Sequence, residues 1–224
     1  MKNNLDELDA TSDALFNGAW PLSEVFFEWL FKLLPCPGEG QSVLFLDSFL
    51  GGKLPSLAMH RQSWTQRLHV NESDNAIYSL AASGPLQEWL NDIYFDLTNL
   101  PIDALFDCLE RRFMLVLGSV SLLNLSDDVL RKRLGLIKQK LHENGAIVFL
   151  GTVRPRSVRL GDEFNLIMSD YFTNDISTKW NHDRNEGNYA DLFQEAGFDW
   201  EVCLKSYPYQ VWLLTKPNCR LFYG

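Results

Sequence analysis

The feature that most constrains the fold is an amphipathic, helix-sized segment that leads directly into an apolar, strand-sized one. In SDDVLRKRLGLIKQKLHENG, apolar residues recur at helical spacing on one face, namely Val129, Leu130, Leu134, Ile137 and Leu141. We expect Ser126 to cap this helix, and Asn144 and Gly145 to end it in a left-handed turn. The run AIVFLGTV that follows is apolar throughout, as expected of a strand covered on both faces.

The same alternation of strands and helices recurs along the chain. Further strands are expected in SVLFLD, TQRLHVNES, IYFDL and RRFMLVLGS, with helices in KLPSLAMHRQSW, NAIYSLAAS and PLQEWLNDI. Near the end, NYADLFQEAGF predicts a helix that stops at Gly197, and WEVCLKSYPYQVWLLT predicts a hairpin turning at Pro208. This order predicts an α/β protein with a Rossmann-like, doubly wound, mostly parallel seven-stranded sheet and a C-terminal antiparallel hairpin.

Two further segments complete the expected domain organisation. Residues 1–40, which contain the apolar stretch PLSEVFFEWLFKLL, are expected to form an N-terminal helical cap. The α/β domain is expected over 41–224, with an insert at about 152–187 that is polar and then rich in aromatics. Long insertions of this kind are often functional lids, so we expect this one to close over a substrate.

Composition excludes several classes of function. The chain has 224 residues and a formal net charge of −9, which argues against binding to nucleic acid or to an anionic membrane surface. Its apolar runs are far shorter than the ~20 residues of a membrane-spanning helix. The four cysteines have neither CxxC nor metal-ligand spacing, so no metal site is expected. No secretory signal is apparent, and we expect a cytoplasmic protein.

Polar residues follow several of the expected strands. In an open α/β sheet, ligands bind beyond the carboxyl ends of the strands, where the strand order reverses. That rule predicts a single crevice surrounded by Asp47 to Lys53, Asn71, Glu72, Asp96, Ser119 and Thr152.

The layout resembles the class I S-adenosylmethionine-dependent methyltransferases from about residue 41 to 216. The best-matching parts are SDDVLRKRLGLIKQKLHENGAIVFLGTV, which resembles the helix and strand after the cofactor site, and NYADLFQEAGFDWEVCLKSYPYQVWLLTK, which resembles the final helix, AGF turn and hairpin. The resemblance implies S-adenosylmethionine as the cofactor.

The first motif of that family is a strand ending in an acid, followed by a glycine-rich loop. Here the acid is Asp47, and Phe49, Gly51 and Lys53 fall at the three glycine positions, with Gly52 adjacent. Glycine permits positive φ and a close approach of the backbone to the ligand. Phe49 therefore departs from the pattern at the point where the ligand would lie.

The other motifs imply the remaining cofactor contacts. For the ribose hydroxyls there are two alignments: Asn71 fits by spacing, whereas Glu72 is the better bidentate acceptor. Asp96 would accept from the adenine amino group, with Leu97 against the ring. Gly118 and Ser119 would lie under the methionine end.

Methyl transfer is an in-line displacement that needs alignment, desolvation and sometimes a general base. The insert supplies the candidate catalytic residues His182, Tyr171 and Asp170. Tyr189 and other aromatics are expected to contribute to an aromatic lid.

Three functional hypotheses stay open. The first is a methyltransferase acting on a small molecule, by analogy a specialised metabolite in a biosynthetic pathway. The second is an enzyme of the same fold that cyclises, eliminates or transfers the aminocarboxypropyl chain and releases methylthioadenosine. The third is a non-catalytic binding descendant. The sequence does not predict the oligomeric state.

Overall fold

The computed structural model describes residues 41–47, 67–84, 86–118, 120–123, 125–153, 184–206 and 209–219. The strands are β1 Ser42–Leu46, β2 Arg67–Asn71, β3 Phe95–Thr98, β4 Phe113–Gly118, β5 Leu141–Thr152, β6 Asp199–Ser206 and β7 Tyr209–Thr215. The helices are α1 Asn75–Ser83, α2 Ile102–Cys108, α3 Val120–Leu123, α4 Asp127–Lys140 and α5 Glu186–Glu195. A 3₁₀ turn occupies Gln87–Trp89, where the sequence predicted a longer helix.

All seven strands belong to one sheet, in the order β3-β2-β1-β4-β5-β7-β6. Neighbouring strands from β3 to β5 are parallel, whereas β7 runs antiparallel to both β5 and β6. The predicted mostly parallel, seven-stranded sheet with a C-terminal hairpin is confirmed.

Each face of the sheet carries its own hydrophobic core. Successive residues of a strand point to opposite faces, so Val43 and Phe45 of β1 belong to one core, and Leu44 and Leu46 to the other. Buried residues of α2, α4 and α5 pack in the second core. Because both faces are covered, the strands read as continuous apolar runs rather than as an alternation.

The end of α4 differs from the prediction. The helix ends at Lys140, Leu141 is already extended, and Asn144 and Gly145 lie within β5. A Cβ on Gly145 would lie 2.9 Å from the carbonyl oxygen of Phe113. The glycine therefore serves the close approach of β5 to β4, and the predicted left-handed cap at this position was wrong.

The beginning of α4 also departs in two details. Ser126 occupies the N-cap position, but its side chain makes no capping hydrogen bond. Val129 is 40% exposed, because the buried stripe of the helix runs through Leu130, Leu134 and Ile137.

Tyr189, expected in a lid, is buried in α5 with its ring centroid 4.9 Å from that of Trp212.

The end of α5 agrees with the sequence prediction. Gly197 has a φ of 75°, in the left-handed region, and the chain then turns into β6. Lys138 of α4 donates hydrogen bonds to the carbonyls of Ala196 and Gly197, so a cation from the neighbouring helix binds the carbonyl end of α5.

Several predictions concern segments outside the described residues. These are the helical cap over 1–40, the loop and helix over 48–66, Ser119 and most of the insert, 154–183. Among the helices of the described ranges, none has the length and apolarity needed to cross a membrane.

Candidate functional site

The carboxyl ends of β1 and β2 are joined through Asp47. Its backbone N–H donates to the carbonyl of Asn71 at 2.8 Å, and its Oδ1 accepts from the backbone N–H and the hydroxyl of Ser73, at 2.9 and 2.7 Å. Asp47 has a φ of 44°, a left-handed conformation that is unfavourable for a residue with a side chain. These three hydrogen bonds hold the acid in that conformation at the carboxyl end of β1, in the middle of the sheet.

The position of Asp47 coincides with the reversal of strand order. β1 lies between β2 and β4. The strands that follow β1 along the chain, β2 and β3, are added on one side of it, whereas β4 and β5 are added on the other side. Leu46 pairs with both Asn71 and Gly118, which places the three strand ends at one level. A crevice at such a switch point is where open α/β sheets bind ligands.

Gly118 allows close packing at this edge. A Cβ there would lie 2.6 Å from Cδ1 of the Phe149 ring, so a side chain would collide with the core. The glycine is therefore required by the packing of Phe149, and its place under the methionine end of the cofactor stays a prediction.

Asn71 uses its side chain within the protein. It is fully buried, its Nδ2 donates to the carbonyl of Leu100 at 3.0 Å, and its Oδ1 accepts from the Leu100 N–H at 3.1 Å and the Thr98 hydroxyl at 2.9 Å. The amide thus ties the end of β2 to the chain after β3.

Glu72 follows β2 directly and is buried at the same edge. Its N–H donates to the carbonyl of Thr98 at 3.0 Å, and its carbonyl accepts from Nδ2 of Asn99 at 2.6 Å. The backbone that carries this carboxylate is therefore fixed from the end of β3, next to Asp47 and Ser73.

Asp96 lies within β3 rather than at its carboxyl end. β3 continues for two residues beyond Asp96, which pairs with His69 on β2. Its Oδ2 accepts from Nε of Arg67 at 3.2 Å and lies 3.0 Å from Nδ1 of His69. The adjacent Leu97 points to the opposite face and packs on the first core. A joint contact of Asp96 and Leu97 with one adenine ring stays a prediction that this geometry disfavours.

The environment of His69 lowers its pKa to about 4. Burial is the main cause, because it disfavours the charged imidazolium; Asp96 opposes this effect, whereas Arg111 and Arg67 reinforce it. His69 is 7% exposed and meets the Phe113 ring edge to face. The folded protein therefore keeps this imidazole neutral at pH values where the unfolded chain would protonate it.

We expect the folded protein to lose stability as the pH falls from about 6.5 towards 4. In that window the unfolded chain binds more protons than the folded one, so the free energy of unfolding rises with pH. This histidine should contribute a decrease of about 1–2 kcal/mol between pH 7 and pH 5. Urea unfolding at several pH values should show a flatter profile for His69→Asn, whereas His142→Asn, at an exposed site, should keep the original slope. Equal slopes in all three proteins would contradict the assignment.

Arg184 binds the loop that follows α3, and sequence reasoning missed it. Its buried guanidinium donates to the carbonyls of Leu123 and Leu125 and to the carboxylate of Asp127, and it lies over the Tyr189 ring. Arg184 lies two residues before α5, so these contacts tie the start of that helix to the end of α3 and the first turn of α4. Nothing in its local sequence indicates burial, because its partners are about 60 residues away.

Other predicted site residues lie outside the described ranges. These are Phe49, Gly51, Gly52 and Ser119 of the predicted cofactor site, and the catalytic candidates Asp170, Tyr171 and His182. The structure brings Asp47, Asn71, Glu72 and Gly118 together at one edge, and places Asp96 about two residues below it.

Comparison with solved structures identifies the fold. An O-methyltransferase family protein from Burkholderia thailandensis matches with a TM-score of 0.66 and 16% identity, over 93% of this chain and 59% of its own. The pyocyanin biosynthetic protein PhzM matches with a TM-score of 0.64 and 13% identity, over 85% and 54%. Human N-acetylserotonin methyltransferase, solved in complex with S-adenosylmethionine, matches with a TM-score of 0.57 and 16% identity, over 83% and 48%.

These likenesses show that the chain has the Rossmann-like fold of class I S-adenosylmethionine-dependent methyltransferases. The chain spans roughly half to three-fifths of the length of these three proteins. No protein-family model and no curated protein sequence matches it.

Proposed function

We propose that this chain is an S-adenosylmethionine-dependent methyltransferase that acts on a small molecule. The observation that carries the proposal is the placement of Asp47 in a left-handed conformation at the switch point, held there by Ser73 and the end of β2. Strained backbone of this kind is found at functional sites more often than elsewhere. A carboxylate so placed, with Glu72 and the bare backbone of Gly118 at the same level, fits a ligand with hydroxyl and amino groups.

The solved neighbours support a small-molecule acceptor. They include a pyocyanin biosynthetic protein and an N-acetylserotonin methyltransferase. The acidity of the chain, with a formal net charge of −9, also disfavours nucleic acid as the acceptor. We therefore propose a specialised metabolite as the substrate and the cytoplasm as the location.

The predicted site residues would have distinct roles in binding the cofactor and the acceptor. S-adenosylmethionine supplies an electrophilic methyl group. Glu72 would accept hydrogen bonds from the ribose hydroxyls, a role for which Asn71 is less suited because its amide already bonds to Leu100 and Thr98. The backbone of Gly118 would lie under the methionine end, and the roles of His182, Tyr171 and Asp170 towards the acceptor stay predictions.

A second candidate function is a binding subunit that has kept the fold without catalysis. Two predicted cofactor contacts, Asn71 and Asp96, have partners within the protein. Phe49 also replaces a glycine of the first motif. These departures favour the second candidate more than a standard motif would.

Calorimetry with S-adenosylmethionine and S-adenosylhomocysteine tests the proposal. We expect both to bind, because the two compounds share the nucleoside and the amino-acid chain and differ only in the transferred methyl group. Incubation with S-adenosylmethionine alone, followed by mass spectrometry, then separates methyl transfer from other uses of the cofactor. Release of methylthioadenosine without an acceptor would contradict methyl transfer, and the absence of binding by either compound would leave the non-catalytic candidate.

A further inference from the structure

Gln210 is a polar residue on an otherwise apolar strand face. It lies in β7 opposite Gly151 of β5 and Lys205 of β6. Because side chains alternate along a strand, Gln210 shares its face with Trp212 and Leu214, which belong to the second core. The run YQVWLLT could have indicated its burial, since the residues that follow it are apolar on both faces of the strand.

The amide of Gln210 is buried without a hydrogen-bond partner. The residue is 1% exposed, and neither Oε1 nor Nε2 has a partner within the described part of the chain. The buried indole Nε1 of Trp212, two residues along the same face, also has none there. Unpaired buried polar groups are rare and each lowers stability, so two of them on one face require an explanation.

The described residues around this amide are mainly aliphatic and aromatic. A Cβ on Gly151 would lie 2.6 Å from the Leu123 side chain and 3.0 Å from the Trp212 ring, so both pack over the glycine. Lys205, which lies across from Gln210 on β6, is paired with Glu186. Burial raises the pKa of Tyr189, whose ring lies tilted against that of Trp212, to about 12, so its phenol stays neutral.

Gln210 lies towards the same end of the sheet as the candidate cofactor site, the end at which the parallel strands terminate. Gly118 pairs with Phe149, and Phe149 pairs with Trp212, so β7 lies two strands from β4. Two strand spacings are about 10 Å. Gln210 lies two residues beyond Trp212, towards the carboxyl end of β5.

We propose that Gln210 and Trp212 Nε1 form a polar subsite for the methyl acceptor. The amide offers an acceptor and two donors and the indole offers one donor, so the pair matches a neutral group that carries both a donor and a carbonyl. The aromatic setting fits a small planar molecule such as a hydroxylated aromatic amide or ketone. Since the amide is covered, a ligand reaches it when the side chains above it change rotamer. This inference rests on the proposed function for the identity of the ligand as an acceptor.

The test uses the full chain, Gln210→Leu, and Gln139→Leu at an exposed glutamine of α4 as the matched control. The probe is 2-hydroxybenzamide, with toluene as the ring lacking both polar groups. We expect Gln210→Leu to raise Tm by about 3 °C or more, because it removes unpaired polar atoms from the core. In ¹⁵N-labelled protein, the side-chain amide signal absent from Gln210→Leu should shift with 2-hydroxybenzamide and not with toluene. The variant should bind the probe at least about tenfold more weakly.

Two results would overturn the subsite. A lower Tm in Gln210→Leu would show that the amide has a stabilising partner. An amide signal of Gln210 that does not shift with 2-hydroxybenzamide would show that the side chain does not bind such a group. Calorimetry of the unsubstituted protein with S-adenosylmethionine separates this inference from the proposed function. Cofactor binding without a response of Gln210 would contradict the subsite alone, whereas a response of Gln210 without cofactor binding would contradict the methyltransferase proposal alone.

Discussion

Replacing Arg184 with methionine is expected to lower the free energy of unfolding by about 3 kcal/mol. The guanidinium is buried and binds two main-chain carbonyls, of Leu123 and Leu125, together with the Asp127 carboxylate. Methionine retains much of the side-chain volume but donates nothing, so the two carbonyls would lose their donor in a place that water does not easily reach. Urea unfolding followed by far-UV circular dichroism measures the difference.

Arg131→Met is the matched control for this experiment. Arg131 also pairs with an aspartate in the first turn of α4, Asp128, and with Glu195, but it is partly exposed to solvent. Exposed ion pairs contribute little, so a much smaller loss is expected. Equal decreases in the free energy of unfolding of the two variants would show that burial does not increase the contribution of Arg184 to stability. Arg184→Lys should recover little, because an ammonium cannot reproduce the planar fork that reaches three acceptors.

Replacing Glu72 with glutamine is expected to weaken the binding of S-adenosylmethionine by about 10- to 100-fold. A carboxylate accepts hydrogen bonds through both oxygens, whereas an amide keeps one acceptor and adds donors that two ribose hydroxyls match less well. Isothermal calorimetry with S-adenosylhomocysteine measures the same contact without turnover.

The control for this variant is Glu110→Gln, at an exposed position before β4. It makes the same chemical change away from the candidate site and should leave cofactor affinity unchanged. Thermal unfolding of both variants without ligand would separate a loss of the fold from a loss of the contact. Wild-type affinity in a folded Glu72→Gln protein would remove Glu72 from the cofactor site.

The order of the elements could be predicted because each strand and helix has a local signature. Apolar runs of strand length predicted β1, β4 and β5, and Gly197 predicted the end of α5. Asn144 and Gly145 show where local signatures are ambiguous. The same pair that often ends a helix here lies inside a strand, and the carbonyl of Phe113 on the neighbouring strand decides between the two.

The site was predicted less completely because its residues depend on partners distant in sequence. Asp47 and Gly118 follow from their positions at strand ends. Asp96 also appeared to end a strand, but Arg67 and His69 on the adjacent strand bind its carboxylate. The proposal of Glu72 rather than Asn71 as the ribose acceptor likewise depends on the location of Leu100, with which the Asn71 amide pairs.

The strand order has a consequence for how the chain is made. β5 pairs with β4 on one side, but its other edge is covered by β7, which is synthesised more than 50 residues later. Until Tyr209–Thr215 leaves the ribosome, the apolar edge of β5 is open to other chains, and unpaired strand edges promote aggregation. A chain truncated before β7 would expose that edge permanently, so the terminal hairpin protects the solubility of the whole sheet.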